Sequence, residues 1–402
     1  MVAVPKALAR MVSSTAGSLD SAAPQPEPTP ITKDEESPFR AADLEYDLAP
    51  SEGHLNLEDL KFGTVFTDHM FTVEHVAGEG WSRPRIGPFQ NIPVHPAAPV
   101  LHYGMCCFEG MKAYVDAAGR VRLFRPEMNM ARLARSAARL ELAPFDQGEM
   151  LACLKAFLRV DAAWVPRREG HSLYLRPFAF STSHTLGVAK STRTMLSVIA
   201  SPVGPYFPSG LVPIPLFVDE VNRRAWPGGV GHAKVGANYA PTIAPQVAAA
   251  GRYGTPQVVY TFAAPDADPE DAVFEECGAM NVMFLLDDGA GGRELVTPPL
   301  KGTILPGVTR DSILTLTREA GEVRVAERDL SIRELREAAA AGRLIEAFGC
   351  GTACIVQPIA SFVRANGDVM RTVGDGSFTN NIFKTLSDIQ YGRVEHPWSE
   401  VV

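Results

Sequence analysis

Apolar residues recur with a regular period only from about Leu60, where FGTVFTDHMFTVEHV mixes β-branched and aromatic residues in partial alternation and predicts a strand. VLHYGMCCFEGMKAYVDAAGRVRLFRP continues the pattern, with Asp116 to Gly119 turning one strand into the next. Pro126 then opens a helix, PEMNMARLARSAARLEL. Its period sets Met128, Ala131, Ala134, Ala138 and Leu142 near one face and Arg132, Arg135 and Arg139 elsewhere. A second helix is predicted from Gly148 to about Trp164, followed by strands over 172–182 and 196–203.

The stretch 204–215, GPYFPSGLVPIP, holds four prolines and two glycines, so it suits neither a helix nor a central strand and is predicted to be an interdomain linker. Beyond it the pattern predicts a helix at about 239–250 and strands at 257–262, 280–286 and 294–297. A helix then opens near Thr309, and another spans 331–341, started by Ser331 with Glu334 as a capping box. This is an α/β (α+β) chain with a smaller domain at 46–203 and a larger one at 216–402. A length of 402 residues, more than one ordinary core holds, agrees with two domains. Residues 1–45, rich in Ala, Ser and Pro with PQPEPTP at 24–30, are predicted to be a disordered arm. Its first 19 residues carry Lys6 and Arg10 but no acid, a weak likeness to an organellar transit peptide, and Met11 is another possible start.

A net charge of −8 and a pI near 5.7 argue against binding to nucleic-acid phosphates or an acidic membrane and favour a small-molecule ligand. The six cysteines lack zinc-ribbon spacing, so no metal is expected and a reducing compartment is, the cytoplasm first and the mitochondrion as the alternative. Every apolar run falls short of the roughly 18 residues of a membrane span.

Against this background Lys234 is distinctive. It sits in WPGGVGHAKVGANYAPT, where Gly228, Gly229, Gly231 and Gly236 permit left-handed backbone and close approach while Ala233 and Ala237 keep bulk from the amine. Such a lysine suits imine chemistry, although a solvated lysine in a glycine-punctuated loop has the same local sequence. In TPPLKGTILPGVTRDSILTLTREAG, Gly302 and Gly307 precede the helix that starts near Thr309. Free amides of Val308 and Thr309 would point out of its positive end, a ready phosphate seat. Glu276, in FEECGAMNVMF, is an acid in an apolar strand context. Lysine, anion seat and carboxylate together describe a site for pyridoxal 5'-phosphate: an imine to the aldehyde, a cradle for the phosphate, and an acid that keeps the pyridine nitrogen protonated.

HVAGEGW, LHYGMCCFEGMKAY, LFRPEMNMARL, LYLRPFAF, KVGANYAPT, FEECGAMNVMF, GTILPGVTR and FGCGTAC, in that order from about Asp59 to the C-terminus, resemble the branched-chain amino acid aminotransferases. The resemblance implies a two-domain, fold-type IV enzyme of the D-amino acid aminotransferase-like fold, working as a homodimer with site residues shared across the interface. It implies reversible transfer of the amino group of L-leucine, L-isoleucine or L-valine to 2-oxoglutarate, giving a branched 2-oxo acid and L-glutamate. In that likeness Lys234 is the catalytic lysine, Tyr239 donates to the ring oxygen and Glu276 faces the ring nitrogen. Arg132, Val308, Thr309 and Thr352 hold the phosphate. Phe108 lines the side-chain pocket, Tyr103 and Tyr174 reach in from the neighbouring subunit, Ala353 offers its amide to the substrate carboxylate, and Arg176 grips the second carboxylate of glutamate. Ala279 stands where many relatives have threonine, which removes one hydroxyl contact to substrate. Cys354 is followed three residues later by Gln357, so the Cys-x-x-Cys redox pair of some relatives is missing. A D-amino acid aminotransferase or aminodeoxychorismate lyase of the same fold, or a phosphate-ligand binding protein without turnover, are the alternative readings.

Overall fold

The computed structural model describes residues 38–50, 60–206 and 210–402. The arm expected at 1–45 lies outside the described residues up to 37, and its last part is packed. Phe39 is buried with its ring 5.3 Å from that of Trp81, and Ala41 N–H donates to Glu149 Oε2 at 2.7 Å. One aromatic anchor thus carries regular packing upstream of the periodic pattern.

Two sheets form the body. The first has ten strands, and its spine is the antiparallel pair Ser172–Ser181 and Arg193–Val203, in unbroken register from Ser172↔Val203 to Ser181↔Thr194. His69–Val76 extends it on one side and Met111–Val115 on the other. The helices Pro126–Arg139 and Gln147–Val160 cover it, burying Met130, Leu133, Met150, Leu154 and Phe157 against Val73, Leu175 and Val198. Asp146 caps the second helix by accepting from Glu149 N at 2.9 Å, and this helix ends at Val160 before a separate 3₁₀ turn, Ala162–Trp164. The inward face of Pro126–Arg139 differs from the expected one. It carries Asn129, Met130, Arg132, Leu133, Ser136 and Ala137, while Ala138 is exposed. Three of those inward residues are polar, so apolar periodicity alone points to the wrong stripe.

In the second sheet, of nine strands, consecutive pairings close a ring: Val273–Cys277, Gln257–Phe262, Ile214–Asp219, Ile355–Val363, Leu344–Gly351 and Met280–Asp287, which pairs back to Val273–Cys277. Its first strand begins inside the expected linker, at Ile214, because Leu216 and Val218 are needed in the core. Along Met280–Asp287, Val282, Phe284 and Leu286 face one apolar cluster and Met283 and Leu285 the other. The helices Val308–Ala320 and Ser377–Gln390 cover the second of these clusters with Ile313, Leu314, Ile382 and Leu386. The predicted helix near 239–250 is two 3₁₀ turns followed by Ile243–Tyr253. Ser331 caps Ile332–Ala340 by accepting from Glu334 N at 3.1 Å. Finally Ser399–Val401 returns to the first sheet beside Val121–Phe124.

Candidate active site

Lys234 follows a strand of the second sheet, yet its neighbours Ala233 and Val235 are buried in the core of the first. Three backbone contacts hold it there. Lys234 N–H donates to Ser136 Oγ at 2.8 Å, its carbonyl accepts from Phe108 N at 3.0 Å, and Val235 bridges to Cys107. Of the four glycines in this loop only Gly228 has a left-handed φ, +80°. Close approach accounts for two of the others, since a Cβ on Gly231 would collide with the Thr303 carbonyl and one on Gly236 with Cys106 Sγ. The lysine is therefore fixed at its backbone, and its side chain reaches away from the core. Nζ donates to Tyr239 Oη at 3.0 Å and stands 4.7 Å from the centre of the Phe108 ring.

A cavity of about 330 Å³ opens around this amine, lined by Arg132, Tyr239, Glu276, Val308, Thr309 and Thr352 together with Phe108, Tyr174, Arg176, Ala279 and Ala353. On one wall the buried Glu276 carboxylate accepts from Asn281 Nδ2 and from Leu305 N–H, both at 2.9 Å, and its other oxygen lies 2.6 Å from Arg224 Nη1. Burial pushes this carboxyl up, and Arg224 and the Leu305 amide pull it back toward the ionised form. On another wall Val308–Ala320 begins at Gly307 with no side-chain cap, so its first amides face the cavity unclaimed by the helix. Arg132 comes from the helix across the junction. Its Nε and Nη2 grip Glu109 Oε1 and Oε2 at 2.7 and 2.9 Å, and Nη1 donates to the Pro306 carbonyl at 3.0 Å. A guanidinium has five N–H donors, so two are left for an anion.

Tyr174 lines the cavity of its own chain, a correction to the expectation that it reaches across from a neighbouring subunit. Its strand runs beside Met111–Val115, with Lys112↔Tyr174 in register, and Gly110 leaves room for the phenol where a Cβ would collide with it. Arg176 donates to Tyr174 Oη at 3.1 Å and lies over the Phe108 ring at 4.7 Å, with a buried Nε that has no partner among the described residues. Thr352 and Ala353 occupy the turn between Leu344–Gly351 and Ile355–Val363. Ile355 ends that turn at φ +64°, a left-handed conformation costly for a β-branched side chain and held by the surrounding structure. Tyr103 stands apart, exposed and donating to the Leu186 carbonyl.

Sequence reasoning missed Glu109, Arg224 and Asn281. Glu109 lies in the quoted motif CCFEGMK and could have been read as an acid between an aromatic and a glycine, whereas Arg224 carries no local signal.

Residues 106–362 match the family described as amino-transferase class IV. The chain belongs to the class IV aminotransferases. Among its relatives are the branched-chain-amino-acid aminotransferase of Dictyostelium discoideum, 42% identical over 89% of this chain and 94% of that one, and the mitochondrial enzyme of Mus musculus, 44% identical over 90% and 91%. The branched-chain amino acid aminotransferase of Escherichia coli matches the structure of this aminotransferase with a TM-score of 0.65 and 26% identity, covering 83% of this chain and 98% of the other. The mixed α/β architecture is thus that of the family. Relatives include cytosolic and mitochondrial forms, and no helix among the described residues of this aminotransferase is long and apolar enough to cross a membrane.

Proposed function

We propose that this aminotransferase moves the amino group of L-leucine, L-isoleucine or L-valine to 2-oxoglutarate, reversibly and with pyridoxal 5'-phosphate. The observation that carries the reading is the single cavity in which a lysine amine, a buried carboxylate and an uncapped helix N-terminus converge. Its chemistry fits the cofactor. Val308 and Thr309 amides, Thr352 and the two spare donors of Arg132 would hold the phosphate, Tyr239 the ring hydroxyl, and Glu276 the protonated ring nitrogen. When bound, the cofactor supplies an electron sink for the charge left on the substrate Cα after its proton is removed.

The chain's own groups do the rest. Lys234 Nζ, tethered by a backbone docked in the first core, can reach a proton on Cα, and Tyr239 Oη at 3.0 Å orients the amine. Burial raises the Glu276 carboxyl, and Arg224, 2.6 Å away, offsets part of that rise. The Ala353 amide would bind the substrate α-carboxylate. Phe108 and Tyr174 would enclose a branched side chain, Arg176 would receive the distal carboxylate of glutamate, and Ala279 would leave the substrate without the hydroxyl contact a threonine there would give. We further propose that the two sheets are two domains meeting at this cavity, and that Tyr103, turned to the surface here, completes the site of a second copy in a homodimer.

The test is a product assay. L-leucine with 2-oxoglutarate should yield 4-methyl-2-oxopentanoate and glutamate from a yellow protein, and D-leucine should yield neither. Turnover of the D isomer alone would overturn the substrate assignment.

A further inference from the structure

A second cavity, of about 360 Å³, touches the first at Tyr206, Ala353 and Cys354 but is lined by none of Lys234, Arg132 and Glu276. Its body is apolar and aromatic, with Tyr114, Ile355, Phe383 and Tyr391 on its walls, and Lys112 also lines it. That lysine rises from Met111–Val115, where burial lowers its pKa to about 8. Its ammonium has three donors, and among the described residues one acceptor engages it, the Ala353 carbonyl at 2.7 Å. The two carboxylates at the cavity's edge are occupied elsewhere: Arg393 binds Glu169 at 2.6 Å and Asp388 at 3.1 Å, and Lys384 binds Asp388 at 2.6 Å.

A lysine amine with spare donors in an apolar chamber of ligand size is a receptor for one carboxylate on a hydrocarbon body. We infer that this cavity binds a small apolar monocarboxylate, with its carboxylate on Lys112 Nζ and its body against Tyr114, Ile355, Phe383 and Tyr391. Occupancy reaches the active site through Ala353. A carboxylate that draws Lys112 toward itself competes with the Ala353 carbonyl, and so shifts the turn proposed to present its amide to substrate. Binding at this site goes beyond the transamination reading and does not depend on it, whereas the coupling to turnover through Ala353 rests on it.

The test uses 3-phenylpropanoate on the cofactor-loaded protein, with binding followed by calorimetry and inhibition by rate. Expected are one bound carboxylate per chain, inhibition not competitive with leucine, and no binding of 3-phenylpropanamide. Lys112→Met should weaken binding about tenfold or more, the loss typical of a charge-assisted bond. Because Lys112→Met acts next to Ala353, Ser387→Phe provides the second variant. Ser387 lines only this cavity, and a phenyl ring there fills it, abolishing binding while leaving turnover of leucine unchanged. Binding that is absent at millimolar concentration, or competitive with leucine and unaffected by Ser387→Phe, overturns the proposal.

Discussion

Arg132 reaches the cavity already clasped by Glu109, through Nε to Oε1 at 2.7 Å and Nη2 to Oε2 at 2.9 Å, with both side chains buried. Burial works against both charges. Even so, Arg132 and Asn129 hold the Glu109 carboxyl below the usual carboxylate range, so the pair is ionised at neutral pH. Removing one partner leaves a buried charge uncompensated, which typically costs about 3 to 5 kcal/mol. Glu109→Gln should therefore lower thermal stability and weaken cofactor retention together, while Glu109→Gln with Arg132→Met should recover part of the stability but none of the retention. Melting curves and absorbance after dialysis read the two effects. Equal stability of single and double variants would sink the argument.

Lys234 is expected to be the residue that borohydride fixes to the cofactor. Among the described lysines it alone stands in this cavity, 3.0 Å from a tyrosine hydroxyl. Lys234→Ala should lose the cofactor's covalent absorption band and nearly all turnover. Peptide mapping that finds the label on Lys112 or Lys301 would overturn the assignment.

The strand pattern was legible where turn residues bound a short apolar run. Gln257–Phe262 and Arg293–Thr297 lie within a residue of expectation because turn residues bound them. The hairpin Leu344–Gly351 and Ile355–Val363 escaped because the GTAC that joins its strands is weak turn punctuation. Lys234 could be singled out from its glycines, although close approach rather than left-handed backbone accounts for Gly231 and Gly236. Arg224 and Glu109 could not be matched to Glu276 and Arg132, since each pair joins segments that only tertiary folding brings together.

Cys350 and Cys354 should not act as a redox pair. Cys350 packs in one apolar cluster of the second sheet and Cys354 in the other, although both also line the first cavity. Burial also pushes the Cys354 thiol up to about 12, which leaves little thiolate to react. Mild peroxide should leave activity largely intact in wild type and Cys350→Ser alike. Reversible inactivation that Cys350→Ser abolishes is the contrary result.

Lys112 should leave a pH signature in stability. Burial lowers its pKa from 10.5 to about 8, so between those values the unfolded chain binds a proton that the folded chain does not. Stability then rises with pH across this window, and the penalty of the charged form is fully present below about 8. Denaturant titrations should find wild type gaining on Lys112→Met from pH 8 toward 10, with a constant difference below 8. A difference flat across the whole range would exclude a lowered pKa.

We propose that Arg176 lets one pocket take both leucine and glutamate, whose side chains differ by a full charge. An apolar pocket would reject the glutamate carboxylate, since burying it unpaired is costly. Arg176 is held over Phe108 at 4.7 Å by its bond to Tyr174, and its buried Nε has no partner among the described residues, so the guanidinium is in place with donor capacity to spare. With leucine bound, the aromatic rings around Arg176 still meet an apolar side chain. Arg176→Met should weaken the 2-oxoglutarate half-reaction by about 1.5 to 3 kcal/mol, the worth of a hydrogen bond to a charged group. That is on the order of 10- to 100-fold in kcat/KM, with the leucine half-reaction changed much less. Single-turnover measurements of each half-reaction separate the cases, and equal losses in both would assign Arg176 to holding Tyr174 and Phe108 in place rather than to receiving the carboxylate.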